Sequence, residues 1–211
     1  MSKRLNINSV PALVGIVGPI VVIVGDLVAS LSIPNYSPIR DSISSLALTP
    51  IGWLQTICFL AMGLLLEIFV AGLFFNIRRA RGFHAGIGLL ALCGFMLMLI
   101  ATFHMDHPEA PPMDGIIHTI ASFGLGLLFP IAILSLAPSL KNTPNWKNIF
   151  VYTLVAGVLA FGLIVVAFLT EQIGWFGLYE RIIVANAIIW VEVVAIHFLR
   201  LLLRREPKPQ S

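Results

Sequence analysis

Apolar residues fill long unbroken stretches of this chain, and polar residues are confined to the short connections between them. Six runs stand out, approximately 10 to 32, 51 to 77, 83 to 103, 115 to 137, 148 to 170 and 181 to 203. Each matches the roughly 20 predominantly apolar residues that a helix needs to cross a bilayer core. Lipid offers no partner to a bare backbone, so such a run satisfies its own N–H and C=O groups as a helix. The runs are too long and too continuous for the alternating strands of a membrane barrel. The predicted fold class is all-α: a polytopic membrane bundle of six transmembrane helices in one domain, residues 1–203, with a tail over 204–211. Lys3 and Arg4 before the first run suggest a secretory signal, but the run exceeds the roughly 7 to 15 apolar residues of one and contains Asp26. It reads as a retained helix.

The connection from Ile33 to Pro50 has a pattern of its own. Ser37 and Pro38 form a helix-start signal, and Ile39, Ile43 and Leu46 recur at offsets of four and three. The spacing predicts a short interfacial helix over about 38–46, with Arg40, Asp41, Ser44 and Ser45 on its polar face.

Composition agrees with a lipid solvent: 58% of residues are hydrophobic and 11% charged, against about a quarter charged in soluble domains. The net charge of +3 does not indicate nucleic acid, because the basic residues lie in short clusters between apolar runs. Their placement predicts direction instead. Lys3, Arg4, Arg78, Arg79, Arg81, Lys141, Lys147, Arg200, Arg204, Arg205 and Lys208 all fall at one end of the predicted bundle, eleven of the thirteen Lys and Arg residues, and only Arg40 and Arg181 fall at the other. Positive loops stay cytoplasmic, so the chain is expected in the cell membrane with both termini in the cytoplasm. Trp53, Trp175, Phe176 and Tyr179 mark the outer boundary, and Trp146, Phe150 and Tyr152 the inner one. Cys58 and Cys93 sit within apolar runs and form no C-x-x-C pair.

The candidate chemistry gathers at the outer end. The connection from Phe103 to Asp114 carries His104, Asp106 and His107, and His118 follows one turn into the next helix. Imidazole and carboxylate suit zinc, so His104, Asp106, His107 and His118 are candidate ligands, although their spacing matches no standard zinc motif. Without metal, His118 is a candidate general base steered by Asp41 or Asp106. Ionisable groups inside a bilayer normally face the bundle interior. Asp26, Arg40 and Arg181 are therefore expected, with the histidines, around one outward-opening cavity, and Glu192 on nearly the same helix face as Arg181 but deeper. These four are the candidate binding residues.

Taken together, Tyr36-Ser37 through Asp41-Ser42-Ile43-Ser44, Phe103 to Asp106 with Gly115-Ile-Ile-His118, and Gly177-Leu-Tyr-Glu-Arg181 leading to Trp190 resemble the domain of unknown function 998 family of prokaryotic six-helix membrane proteins. The resemblance implies a fold and topology and no reaction. It also implies importance for Ser44, His118 and Arg181; with Asp41 as the steering acid named above, His118, Asp41 and Ser44 are the catalytic candidates. A looser similarity is to membrane hydrolases of the alkaline ceramidase and adiponectin-receptor type, with a Ser, Asp and His zinc site; this chain differs in helix count and lacks their closing His-x-x-x-His pair. Three functions remain open. One is a carrier or receptor binding a lipid, small solute or ion at the outer face. Another is a hydrolase or transferase acting on a lipid headgroup, with zinc as a candidate cofactor. The third is a haem electron-transfer bundle using His104 and His118 at one face and His84 and His197 at the other. The expected partners are membrane lipids and a small-molecule or lipid ligand, not nucleic acid.

Overall fold

The computed structural model describes residues 7–104, 111–169 and 173–205. Six α-helices follow one another: α1 (Val10–Ser32), α2 (Gly52–Asn76), α3 (Phe83–Thr102), α4 (Pro112–Asn142), α5 (Lys147–Leu169) and α6 (Phe176–Arg205). All six are long and apolar enough to cross a membrane, and no strand occurs among the described residues. Short 3-10 helices cover Ile7–Ser9 and Ser44–Leu48.

Each helix packs on the next in sequence and α6 returns to α1, closing an antiparallel ring. Phe69, Leu90, Ile133, Leu136, Trp190 and Val194 fill its interior. The Trp190 indole satisfies its one donor there by an N–H bond to Thr153 Oγ1 at 3.0 Å, with its ring edge-on to Phe129. Ile20, Val24, Leu27, Phe123, Val155 and Val158 are exposed, as an outer surface solvated by lipid requires. Small residues permit close helix approach: a Cβ at Gly25 of α1 would run into Cys58 of α2.

Two helices exceed their expected bounds. α4 starts three residues before 115, because Pro112 fits the first turn of a helix, where no N–H is needed. It also continues past 137, through Pro138, to Asn142. Here Ser139 and Thr143 bind the connection between α2 and α3: the Ala80 N–H donates to Ser139 Oγ at 3.1 Å and the Arg78 N–H to Thr143 Oγ1 at 3.0 Å. α6 starts at Phe176 rather than 181, absorbing Glu180 and Arg181 into its first turns.

The expected interfacial helix over 38–46 is replaced by two shorter pieces. The Asp41 N–H closes a single turn on the Ser37 carbonyl at 2.7 Å, and the 3-10 helix begins only at Ser44. The groups that would have continued the helix are engaged elsewhere: Glu180 takes the Ile43 N–H, and Arg181 takes the Pro38 and Asp41 carbonyls. Ser44, expected on the polar face, points inward and is buried, as are Ile43 and Leu46. This connection is a cap over one end of the ring.

Candidate functional site

The cap begins at Asn35, whose left-handed φ of 64° turns the chain sharply after α1. The Asp41 carboxylate stabilises the turn that follows by accepting the Ser37 N–H at 2.6 Å. Next, Ser42 Oγ accepts the Ser45 N–H at 3.1 Å and leads the chain into the 3-10 helix.

Arg181 fastens this cap to α1 and α6. Its Nε and Nη2 meet the two Asp26 carboxylate oxygens at 3.3 and 3.1 Å, a bidentate ion pair. Nη1 donates to the carbonyls of Pro38 and Asp41, both at 3.0 Å, and of Gly177 at 3.2 Å. Nη2 also reaches Tyr36 Oη at 2.6 Å and Ser30 Oγ at 3.5 Å. A guanidinium has five N–H donors, and each of its three nitrogens here has protein acceptors. Tyr36 passes the bonding on, donating to the Ser42 carbonyl at 2.8 Å. Burial pushes the Tyr36 phenol above its ordinary pKa, against the opposing pull of Arg181.

The start of α6 is shaped to receive the cap. The Glu180 carboxylate accepts the Ile43 N–H at 2.7 Å, and the Leu178 N–H donates to the Ile39 carbonyl at 3.0 Å. Gly177 lies directly beneath the turn, where a Cβ would run into the Asp41 carbonyl oxygen.

Under the cap, Ser44 meets His118 of α4. Ser44 Oγ lies 3.1 Å from His118 Nε2, and His118 Nδ1 lies 2.8 Å from the Phe103 carbonyl oxygen. A carbonyl can only accept, so in the neutral ring Nδ1 carries the proton. Nε2 is then the acceptor, and the Ser44 hydroxyl donates to it. His118 is 4% exposed and Ser44 9%. In the same layer, His104 Nε2 lies 3.0 Å from Thr56 Oγ1. Gln55, adjacent to Thr56 and 1% exposed, has no hydrogen-bond partner among the described residues for either end of its amide.

The residues expected from sequence thus fall into separate groups. Ser44 and His118 are joined, as are Asp26 and Arg181. Asp41 belongs to the Arg181 clasp rather than to the Ser44–His118 pair, with its carboxylate on Ser37 and its carbonyl on Arg181. Arg40 is exposed on the turn. Glu192 lies eleven residues beyond Arg181, about 16 Å along α6, outside the cap layer; its Oε2 is buried without a partner among the described residues. Where the outward-opening cavity was expected, the cap backbone supplies partners to the charged groups Arg181 and Glu180.

Asp106 and His107 lie outside the described residues. No group of three metal-binding side chains occurs among the described residues. Both ring nitrogens of His118 are held by protein atoms, so this arrangement does not fit the proposed zinc set. The haem pairs are not assembled either: His84 is exposed, and His197 Nε2 lies 2.8 Å from the Asn145 carbonyl oxygen, to which it can only donate.

Tyr36, Gln55, Thr56 and Glu180 are polar members of this region beyond the expected set. Glu180 and Gln55 carried a signal, as polar groups within or beside an apolar run. Tyr36 stood in the motif that carries the family resemblance, but nothing in the sequence pointed to its bond with Arg181. No curated protein and no solved structure matches this chain. The family model described as "Protein of unknown function (DUF998)" matches residues 16–197, which contain the cap, the clasp and the Ser44–His118 pair, and the chain belongs to that family.

Proposed function

We propose that this protein is a membrane-embedded hydrolase or transferase that cleaves an ester at the headgroup end of a lipid, with Ser44 as nucleophile and His118 as general base. The observation that carries the reading is the 3.1 Å bond from the Ser44 hydroxyl to His118 Nε2, with Nδ1 held by the Phe103 carbonyl. A nucleophile bonded to a base that is oriented by a third group is the general arrangement for covalent catalysis. Here a carbonyl stands where a carboxylate is more usual.

Depth supports a lipid ester. α4 has 31 residues, about 46 Å of helix, enough for the roughly 40 to 45 Å of a bilayer with its headgroups. His118 lies six residues in, about 9 Å from the end of α4, near the boundary between headgroups and chains. In the proposed reaction Ser44 Oγ forms a bond to the ester carbonyl carbon while its proton moves to Nε2. The carbon–oxygen bond to the alcohol then breaks, and the alcohol leaves with that proton. Water or another hydroxyl releases the acyl group by the same steps in reverse. The Phe103 carbonyl dipole favours the transient imidazolium. The cap face is taken as external and both termini as cytoplasmic in the cell membrane, supported by the basic residues at the opposite end.

The test is labelling with a fluorophosphonate in lipid nanodiscs. The expected result is an adduct mapped to Ser44, lost in Ser44→Ala and strongly reduced in a folded His118→Ala. No adduct on Ser44, together with no ester turnover, would sink the reading. A second reading, binding a lipid or small solute without covalent chemistry, is favoured by Gln55. A buried amide with no partner at either end among the described residues calls for a water or a ligand group beside it. It predicts a polar lipid or solute co-purifying with the wild type and lost in Gln55→Leu, with Ser44 unreactive.

A further inference from the structure

At the end of the ring opposite the cap, the corner between α4 and α5 opens beside the last turns of α6 into a cavity of about 550 Å³. Lys147, Arg200, Arg204, His197, Asn145 and Asn148 line it. Among the described residues no acidic side chain lines it, and Lys147, Arg200 and Arg204 form no ion pair with any described residue. Other cations on this face have partners: Arg79 lies over the Phe74 ring at 5.0 Å and Lys141 over the Phe150 ring at 5.6 Å. His197, Arg200 and Arg204, at offsets of three and four, share one face of α6.

The corner is rigidly made. Asn145 adopts a left-handed φ of 67°, and its carbonyl takes the His197 N–H. Trp146, 1% exposed, packs edge-to-face on His197 with centroids 4.9 Å apart. With Nε2 committed to Asn145, His197 fixes the wall while Lys147, Arg200 and Arg204 supply the charge. The volume falls within the roughly 300 to 1,000 Å³ typical of small-ligand sites. Its position at the ends of membrane-spanning helices places it at headgroup depth.

We infer that this cavity is a binding site for a phosphate group, held by Lys147, Arg200 and Arg204, and that an anionic phospholipid headgroup in the adjoining leaflet supplies it. Arginine suits phosphate through its planar array of donors and lysine as a point charge. Basic pockets between membrane helices bind acidic headgroups by the same chemistry. Asn145 and Asn148 add uncharged side-chain donors to the rim.

The test compares thermal stability and bound lipid, by native mass spectrometry, in phosphatidylcholine nanodiscs with and without about one-fifth phosphatidylglycerol or cardiolipin. The wild type is expected to retain anionic lipid preferentially and to unfold at higher temperature in its presence. Each cation near a charged headgroup is worth about fivefold in binding, so Arg200→Gln/Arg204→Gln should lose about 25-fold in preference. Lys147→Gln alone should lose about fivefold. Arg78→Gln/Arg81→Gln, on the same face outside the cavity, should retain the preference. A parallel arm adds inorganic phosphate to phosphatidylcholine discs; stabilisation there, lost in the same variants, keeps the phosphate site and assigns it a soluble ligand. Equal loss in the Arg78/Arg81 variant, or no effect of any anion on the wild type, overturns the proposal.

Discussion

Arg181 and the Arg200–Arg204 pair are the same residue type near opposite ends of one helix, and their surroundings are opposites. Arg181 lies partly buried, paired with Asp26 and bonded to cap carbonyls. Arg200 and Arg204 are exposed around a cavity and face no acid among the described residues. Moving a charge from water into low dielectric costs several kcal/mol unless partners replace the lost solvent. At the cap the protein supplies those partners itself. At the basic face they are left to water and headgroups. Charge in a membrane helix therefore does not by itself mark a ligand site; the state of its donors distinguishes a fastener from a receptor.

The largest predicted effect follows from breaking the fastener. Arg181→Ala strands the Asp26 carboxylate, Tyr36 and two cap carbonyls, at an expected cost of about 3 to 5 kcal/mol, the range for losing one partner of a buried pair. Denaturant unfolding in detergent reads it. Asp26→Leu/Arg181→Leu should be less damaging than Arg181→Ala, since no lone carboxylate remains. If the double variant proves the worse, the burial argument fails. Gly177→Ala comes next: its Cβ meets the Asp41 carbonyl, and such overpacking costs roughly 1 to 3 kcal/mol. The same measurement detects it, with the cap shifted off α6 rather than the ring opened.

Ser44→Ala separates fold from chemistry. Losing the hydroxyl leaves His118 Nε2 without its partner and should cost about 1 kcal/mol, the net worth of one hydrogen bond or slightly more. Labelling and turnover should nevertheless be abolished. Ser44→Thr, which keeps a hydroxyl, tests this division: stability should recover, and reactivity only in part because the added methyl group crowds a buried site. Stability lost in step with activity across both variants would make the pair a cap latch and nothing more.

The helices were legible because a bilayer imposes one rule on every spanning segment, length with continuous apolarity. All six runs from the sequence are helices in the structure. The errors fall where that rule stops. α6 was begun too late because Glu180 and Arg181 read as boundary charges, whereas the cap satisfies both within the helix. The helix over 38–46 had the right spacing, but spacing does not reveal that carbonyls of the turn belong to an arginine some 140 residues away. The pairing of Ser44 with His118 was only partly legible: the two residue types were evident, whereas their contact depends on ring closure. Asp41 reads as an orienting group because a carboxylate near a histidine resembles one; in the structure its oxygen takes the nearer Ser37 N–H. Gln55 was visible as one amide in an apolar helix, but what distinguishes it, burial without a partner among the described residues, is a property of the packed structure.

The smallest effect on stability completes the comparison. Arg200→Gln or Arg204→Gln removes an exposed cation with no ion-pair partner among the described residues, so unfolding in a neutral detergent should shift by no more than about 0.5 kcal/mol. The same change in a disc rich in anionic lipid should remove a stabilisation that the wild type gains there by preferential binding to its folded form. Arg181→Ala should show the reverse pattern, a large loss in both environments with no dependence on lipid charge. The two ends of α6 thus differ in what stabilises them, internal hydrogen bonds at the cap and surrounding anions at the basic face. A crossed result, with Arg181 variants rescued by anionic lipid or Arg200 variants unstable in neutral detergent, would mean that the donors of the two arginines have been assigned the wrong roles.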